Sequence, residues 1–426
     1  MLAQEENLFS QVIIKKAKLN AILGQCFGLI LPVTLFQSSV FILYATSLGV
    51  DKSIIMLIIS LSSFFTVLQV LASFWVDSHS RKKFMSLWLA VGASFVFIAI
   101  AVPYWQENIG KDSGILLLII SVLLYVIFRN IGGTAWFPML KDIIPSSERG
   151  RFFGILRLTW QIFVWLWILG VGFFIEDDAL LWKYQLIIAI AILLNLFRTY
   201  FFMQLPEIEP NLKIKKRPIW VQIRRILRER YFQRFTLYLI GVRFFTAFAL
   251  PILALFMKDL GFPDDKNILI TSMYMLGSFL SYIFAGYYND KKGSKSLFRL
   301  SQIVYVIFYI IVIFITDYSL FSSILIIIVY LFVGASDAAF GIANSSKLFQ
   351  ISPDNHRALY MSLVGALTSV LAGISSLGVG ILIGKILPLI IWENSLIVIY
   401  SYHLLFMLSA IGLSVCFIQL KKVPKD

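Results

Sequence analysis

Charged residues are scarce in this chain of 426 residues: they make up 14%, against 59% hydrophobic and 15% aromatic, and the mean hydropathy is +0.85. A water-soluble globule of this size cannot cover its surface with so few charges, so a soluble enzyme and a nucleic-acid-binding domain are both excluded. The 38 phenylalanines also exclude disorder and a coiled coil. The two cysteines, Cys26 and Cys416, both fall inside apolar runs and leave no disulfide framework. Three histidines, His79, His356 and His403, form no cluster with cysteine or acid at metal-ligand spacing, so neither a metal nor another cofactor is expected. A phosphate-cradling glycine loop, a G-x-S-x-G turn and a pair of buried carboxylates are all missing. That removes nucleotide-driven transport and the common hydrolase chemistries. No small-residue cleavage site follows a short apolar core near Met1, so no removable signal peptide is expected.

What the sequence does contain is a series of long apolar runs. A bilayer core of ~30 Å needs ~20 apolar residues as helix. With that ruler the chain yields twelve spans, at 20–46, 53–76, 84–105, 114–140, 150–175, 183–205, 235–258, 267–288, 296–316, 321–347, 358–387 and 396–420. The expected fold is an all-α membrane protein of twelve transmembrane helices. One long connection interrupts it, which divides the chain into a six-helix half at 1–205, a linker at 206–234 and a second six-helix half at 235–426. Within the linker Ile219, Trp220, Ile223, Ile226, Leu227 and Tyr231 recur at helical spacing among Arg224, Arg225, Arg228 and Arg230. This is the pattern of a basic amphipathic helix lying on a membrane surface.

An even number of spans puts both termini on one side. That side carries 28 of the 37 Lys and Arg residues, the opposite side 6 and the spans 3. The bias makes the terminal side cytoplasmic, and the net charge of +14 belongs to a face beside anionic lipid rather than to a nucleic-acid surface. Isoleucine-, phenylalanine- and lysine-rich usage points to an AT-rich bacterial genome, hence to a bacterial cytoplasmic membrane.

Two loop motifs occur once in each half. Ser73 to Lys83, with Asp77, Ser80 and Arg81, lies between spans 2 and 3; Gly286 to Lys295, with Asp290 and Gly293, lies between spans 8 and 9. A second pair, Pro145 to Arg149 and Pro353 to Arg357, follows spans 4 and 10 at an offset of 208 residues. The first motif resembles the G-x-x-x-D-x-x-G-x-[RK] loop of the major facilitator superfamily, with Ser73 and Ser80 where that family usually has glycine. The resemblance covers nearly the whole chain in span order. It implies two pseudo-symmetric halves rocking about a midplane site. It also implies that Asp77 and Asp290 dock on helix N-termini of the other half, near Arg357 and near Arg149 and Arg151, to close the cytoplasmic side. Arg81 and Lys295 would hold the loops at the membrane surface.

Arg129, Arg157, Arg243 and Asp337 sit within the spans. Each costs ~2.5–3.5 kcal/mol at a helix centre, so each should face protein or a wet cavity. Arg157 and Arg243 are near enough to the terminal side to snorkel. Arg129 and Asp337 are not, and 337 lies 208 residues after 129, the offset of the loop repeat. They are therefore expected to face one path from opposite halves and to interact directly or through substrate. Gln37, Ser38, Asn130, Trp136, Trp160, Gln161, Thr246, Tyr274, Tyr330 and Asn344 are candidates to line the same cavity. The reading is a secondary active transporter of a small organic solute, a monomer in the lipid bilayer. Three arginines against one aspartate favour an anionic or zwitterionic substrate, with H+ as a coupling ion carried on Asp337. The alternatives are multidrug or lipid efflux within the same superfamily, against which the glycine-proline antiporter signature is missing from span 5, and a polytopic membrane enzyme, for which no acid/base pair exists.

Overall fold

The computed structural model describes residues 10–76, 79–145, 148–176, 179–207, 219–352, 357–393 and 398–421, without the side chains of Phe74, Arg149, Gly150, Ile219, Trp220, Phe349, Arg357 and Ala358. Among the described residues twelve helices are long and apolar enough to cross a bilayer. They are Gln11–Phe36, Lys52–Ser73, Arg81–Ile109, Lys111–Ile143, Arg151–Phe174, Leu181–Met203, Arg230–Asp259, Asp264–Lys292, Ser294–Phe314, Leu320–Leu348, Leu359–Ile386 and Ser401–Leu420, in order spans 1 to 12. The protein is a multi-pass, all-α membrane protein. Helices dominate because lipid offers backbone N–H and C=O groups no partner, so each span must satisfy its own.

Three boundaries differ instructively from the apolar runs. Span 1 begins at Gln11 rather than near residue 20, because a helix started by the Ser10 cap continues through Lys15, Lys16 and Lys18 before it reaches apolar surroundings. It breaks at Gln37–Ser39 and resumes as Val40–Ser47. Thr34 and Ser38 turn their hydroxyls back onto the carbonyls of Ile30 and Thr34, at 2.9 and 3.2 Å, around the break. Span 7 breaks in the same way between Thr246 and Ala249. Before span 12, β1 (Ile390–Glu393), in the expected connection, pairs antiparallel with β2 (Val398–Tyr400), which was expected as helix. Its β-branched and aromatic residues fit a strand as readily as a helix start.

Span 8 packs most extensively on span 10 and also on span 5; span 11 packs on span 2. The 5–8 and 2–11 contacts join the first six spans to the last six. The helix Ile219–Arg228 forms in the connection between the sets and touches spans 7 and 11. Ile226 is buried there, whereas Arg224 and Arg225 are exposed.

On the side away from the termini, the two sets are tied by polar contacts. Lys52 pairs with Asp259, which also accepts a 2.5 Å bond from Tyr402. Tyr184 of span 6 donates to Asp264 of span 8 at 2.5 Å, and Lys258 reaches the other Asp264 oxygen at 2.6 Å. Ser39 meets Thr271 at 3.2 Å. On the terminal side, the described ion pairs Lys18–Glu148 and Arg81–Asp142 both stay within the first six spans.

Candidate functional site

Spans 7, 8, 9 and 10 converge on one carboxylate. Asp337 lies midway along the 32-residue helix Leu320–Ile351. Its Oδ1 accepts from Arg243 Nη1 at 2.5 Å and from Tyr305 Oη at 3.1 Å, and its Oδ2 accepts from Tyr274 Oη at 2.8 Å. The Arg243 guanidinium also lies over the Phe340 ring, 5.2 Å from its centroid. The side chains of Arg243 and Asp337 are 33% and 30% exposed, whereas Tyr305 is buried, so the ion pair is open on one side only. The hydroxyls of Tyr309 and Thr246, one helical turn from Tyr305 and Arg243, have no hydrogen-bond partner among the described residues.

Close helix packing brings these groups together. A Cβ at Gly334 would lie 2.0 Å from the Tyr274 carbonyl oxygen, and one at Gly277 would lie 1.8 Å from that of Leu331. Two glycines, each against the other helix's backbone, let spans 8 and 10 cross closely enough for the Tyr274 hydroxyl to reach Asp337.

Asp337 therefore pairs with Arg243, not with Arg129, which makes no hydrogen bond or ion pair with the described residues. Repeat equivalence relates Arg129 and Asp337 by the symmetry between halves, which gives them equal depth without contact. Arg243 belongs to the same half as Asp337 and reaches it directly. At 1.5 Å per residue, Arg129, Arg243 and Asp337 lie about 24–27 Å from the far-side ends of their helices. Arg157 stacks its guanidinium over Tyr282 of span 8, 5.9 Å from the ring centroid, across the 5–8 contact.

A fourth in-span arginine escaped the sequence reading. Arg198 is 6% exposed, faces span 1 and donates from Nη1 to the Gly28 carbonyl at 3.2 Å. The signal that marks it is Gly28, where a Cβ would lie 2.0 Å from Arg198 Cδ.

The candidate cavity residues fall into different environments. Gln37 and Ser38 sit at the span 1 break and, with Phe36, Leu250, Thr271 and Tyr330, line a void of about 10 Å³. The Tyr330 hydroxyl is used by the Leu250 carbonyl at 3.2 Å. Asn130 accepts from Gln69 at 2.9 Å, tying span 4 to span 2, and Gln161 donates to the Met275 carbonyl at 3.2 Å, tying span 5 to span 8. Trp136 stacks on Phe202 with centroids 5.1 Å apart in the core of the first six spans, and Trp160 packs partly buried beside it. Thr246 and Asn344 carry buried oxygens without partners among the described residues.

Of the loop residues, Asp77 lies outside the described residues. Asp290 is exposed near the terminal-side end of span 8 and makes no hydrogen bond or ion pair with the described residues. Helices begin at Arg149 and Arg357, whose side chains are not described. Gly293 takes φ +79 between spans 8 and 9, a left-handed turn that suits glycine. Arg81 braces Asp142, and its backbone N–H meets Glu207 at the start of span 3, while Lys295 donates to the Lys421 carbonyl at 3.3 Å. Among the described residues no group of His, Cys, Asp and Glu is placed to hold a metal ion.

Solved structures with this architecture include a mutant of the nucleoside transporter NupG, at TM-score 0.74 and 13% identity, covering 97% of this chain and 100% of that one. A D-xylose-proton symporter matches at TM-score 0.69 and 16% identity, covering 97% and 98%. A bacterial homologue of the iron transporter ferroportin in an inward-facing state matches at 0.62 and 14%, covering 97% and 99%. At these identities they show a shared fold. No curated protein sequence matches. The chain matches the model of the Major Facilitator Superfamily over residues 19–263 and 235–425. With twelve spans in the architecture of known transporters and that match along nearly its whole length, the chain belongs to the Major Facilitator Superfamily and is a transporter rather than an enzyme.

Proposed function

We propose that the protein is a secondary active transporter that couples movement of a small anionic or zwitterionic organic solute to protons through Asp337. It works by rocking of two six-helix halves. The observation that supports it most is the carboxylate deep in span 10, held by Arg243, Tyr274 and Tyr305 and open on one side. While Arg243 neutralises it, Asp337 needs no proton. An anionic group on the solute competes for Arg243. Drawing the guanidinium away leaves a carboxylate charge uncompensated in a low-dielectric site, and a proton is the remaining way to neutralise it. Solute and proton are then bound together.

Both termini are cytoplasmic in this reading, and the protein acts as a monomer. The far-side contacts Lys52–Asp259, Tyr184–Asp264 and Ser39–Thr271 join opposite halves. Asp290, which in this family closes the cytoplasmic side, makes no hydrogen bond or ion pair with the described residues. The conformation is therefore an inward-facing one.

The test is proton flux in proteoliposomes that trap a pH-sensitive dye, screened with organic anions, zwitterions and neutral sugars. Wild type should move protons with one of the charged classes, and Asp337→Asn should move none while still exchanging solute. Proton-driven uptake at the wild-type rate in Asp337→Asn would end the coupling assignment.

A further inference from the structure

We propose that the far-side cleft between the start of span 2 and the adjoining ends of spans 11 and 12 binds a small organic amine, and that the bound amine holds the two halves together on that side. The inference rests on the transporter reading above, because a ligand that bridges the halves regulates a molecule that works by rocking them.

A cavity of about 260 Å³ lies in this cleft, lined by Asp51 and Lys52 from the first six spans and by Ile383, Leu389, Ser401 and Tyr402 from the last six. Gly384 is also in its wall, and a Cβ there would lie 2.8 Å from the Ser53 backbone nitrogen, so the two sets touch at its edge. Span 11 ends beside it in a π turn, Leu382–Ile386, an irregularity frequent at functional sites. The cleft sits at helix ends, whereas Asp337 lies midway along span 10. The two sites are separate.

Two of the polar lining residues are already engaged. Lys52 pairs with Asp259, and the Tyr402 hydroxyl donates to the same carboxylate at 2.5 Å. The other two are not. Asp51 is exposed, and although it caps span 2 its side chain makes no hydrogen bond or ion pair with the described residues. Ser401 is 2% exposed, and its hydroxyl makes no hydrogen bond with the described residues.

A free carboxylate beside a free hydroxyl suits a positively charged group with several N–H donors, which is an ammonium. One carboxylate offers too few oxygens for a divalent metal ion. Ile383 and Leu389 give an alkyl chain an apolar wall. The volume is below the ~300–1,000 Å³ of pockets for drug-sized ligands, so the occupant is smaller. It meets both sets of spans only while the far side is closed, and its binding therefore favours that arrangement.

The first measurement is Tm of the whole protein in phosphatidylcholine nanodiscs with propylamine, ethanolamine or 1,4-diaminobutane as hydrochlorides, against sodium chloride at matched ionic strength. At least one amine should raise wild-type Tm by about 1–3 °C at saturation. Tetramethylammonium, which has no N–H donor, should not. Asparagine caps a helix as well as aspartate does, so Asp51→Asn should fold with unchanged Tm and lose the shift. Asp51→Glu should keep part of it. The second measurement is labelling of Gln37→Cys in whole cells by an impermeant methanethiosulfonate, which the active amine should slow at least threefold, and not when Asp51→Asn is also present. No shift with any amine, or a shift that survives Asp51→Asn, overturns the site. An equal shift with tetramethylammonium, or one with sodium acetate in place of the amines, overturns the ammonium assignment. A shift with unchanged or faster labelling overturns the regulatory role. No proton gradient and no transported solute enter these measurements, so this cleft and the coupling role of Asp337 stand or fall separately.

Discussion

Gly334 and Gly277 show how single residues set the site. Each places its α-carbon against a carbonyl of the facing helix, at Tyr274 and Leu331. Gly334→Ala must drive spans 8 and 10 apart beside the Tyr274–Asp337 hydrogen bond. Overpacking of this kind costs about 1–3 kcal/mol. Transport should fall at least tenfold, whereas Gly341→Ala, with open space at its Cβ, should leave the rate within a factor of two. Equal rates in the two variants would remove the close crossing as the cause of the geometry. Asp337 and Arg243 make a second residue-scale case. Truncating one partner strands a buried charge at about 3–5 kcal/mol, so Arg243→Ala should lower folded yield sharply. Exchanging the pair, Arg243→Asp with Asp337→Arg, should recover yield on size-exclusion chromatography. It should not recover proton coupling, because the carboxylate then sits on span 7. Full proton-driven uptake in the exchanged protein would make the pair purely structural.

At the scale of elements, the far-side ends of spans 2, 6, 7, 8 and 12 form a closure built from two aspartates. Asp259 takes Lys52 and Tyr402; Asp264 takes Tyr184 and Lys258. Lys52 and Asp259 are partly exposed, and such a pair contributes only about 0–1 kcal/mol. Asp264 is 2% exposed and heads span 8, where the helix dipole favours its charge. Its bond from Tyr184 crosses the halves and is worth about 1.5–3 kcal/mol. Tyr184→Phe should therefore shift the population toward far-side opening by about 10- to 100-fold, and Lys52→Ala by far less. Labelling of Gln37→Cys, placed at the span 1 break, reads this out in whole cells with an impermeant maleimide. A larger effect from Lys52→Ala than from Tyr184→Phe would reverse the ranking.

The whole molecule is oriented by its charges. Asn108 is exposed at the end of span 3 and Lys83 is exposed at its start, on opposite sides. In whole cells Asn108→Cys should react with an impermeant thiol reagent and Lys83→Cys should not. The native Cys26 and Cys416 are buried and give little background. The opposite labelling would invert the orientation.

Span number and order could be read directly from the sequence, because lipid allows few backbone solutions and hydropathy alone marks the segments that must be helical. The depth of each charged residue followed from its count along a span. Arg243, Tyr274 and Asp337 were each singled out from sequence. What joined them with Tyr305 was which face each span turns toward its neighbours, and hydropathy does not encode that. The breaks in spans 1 and 7, the hairpin before span 12 and the burial of Arg198 against Gly28 depend on packing between distant segments in the same way. The sequence by itself determined a twelve-span transporter with Arg129 and Asp337 deep in its spans. Only the tertiary structure decided which charges neutralise one another, because pairing needs contact and contact is set by helix rotation and close approach.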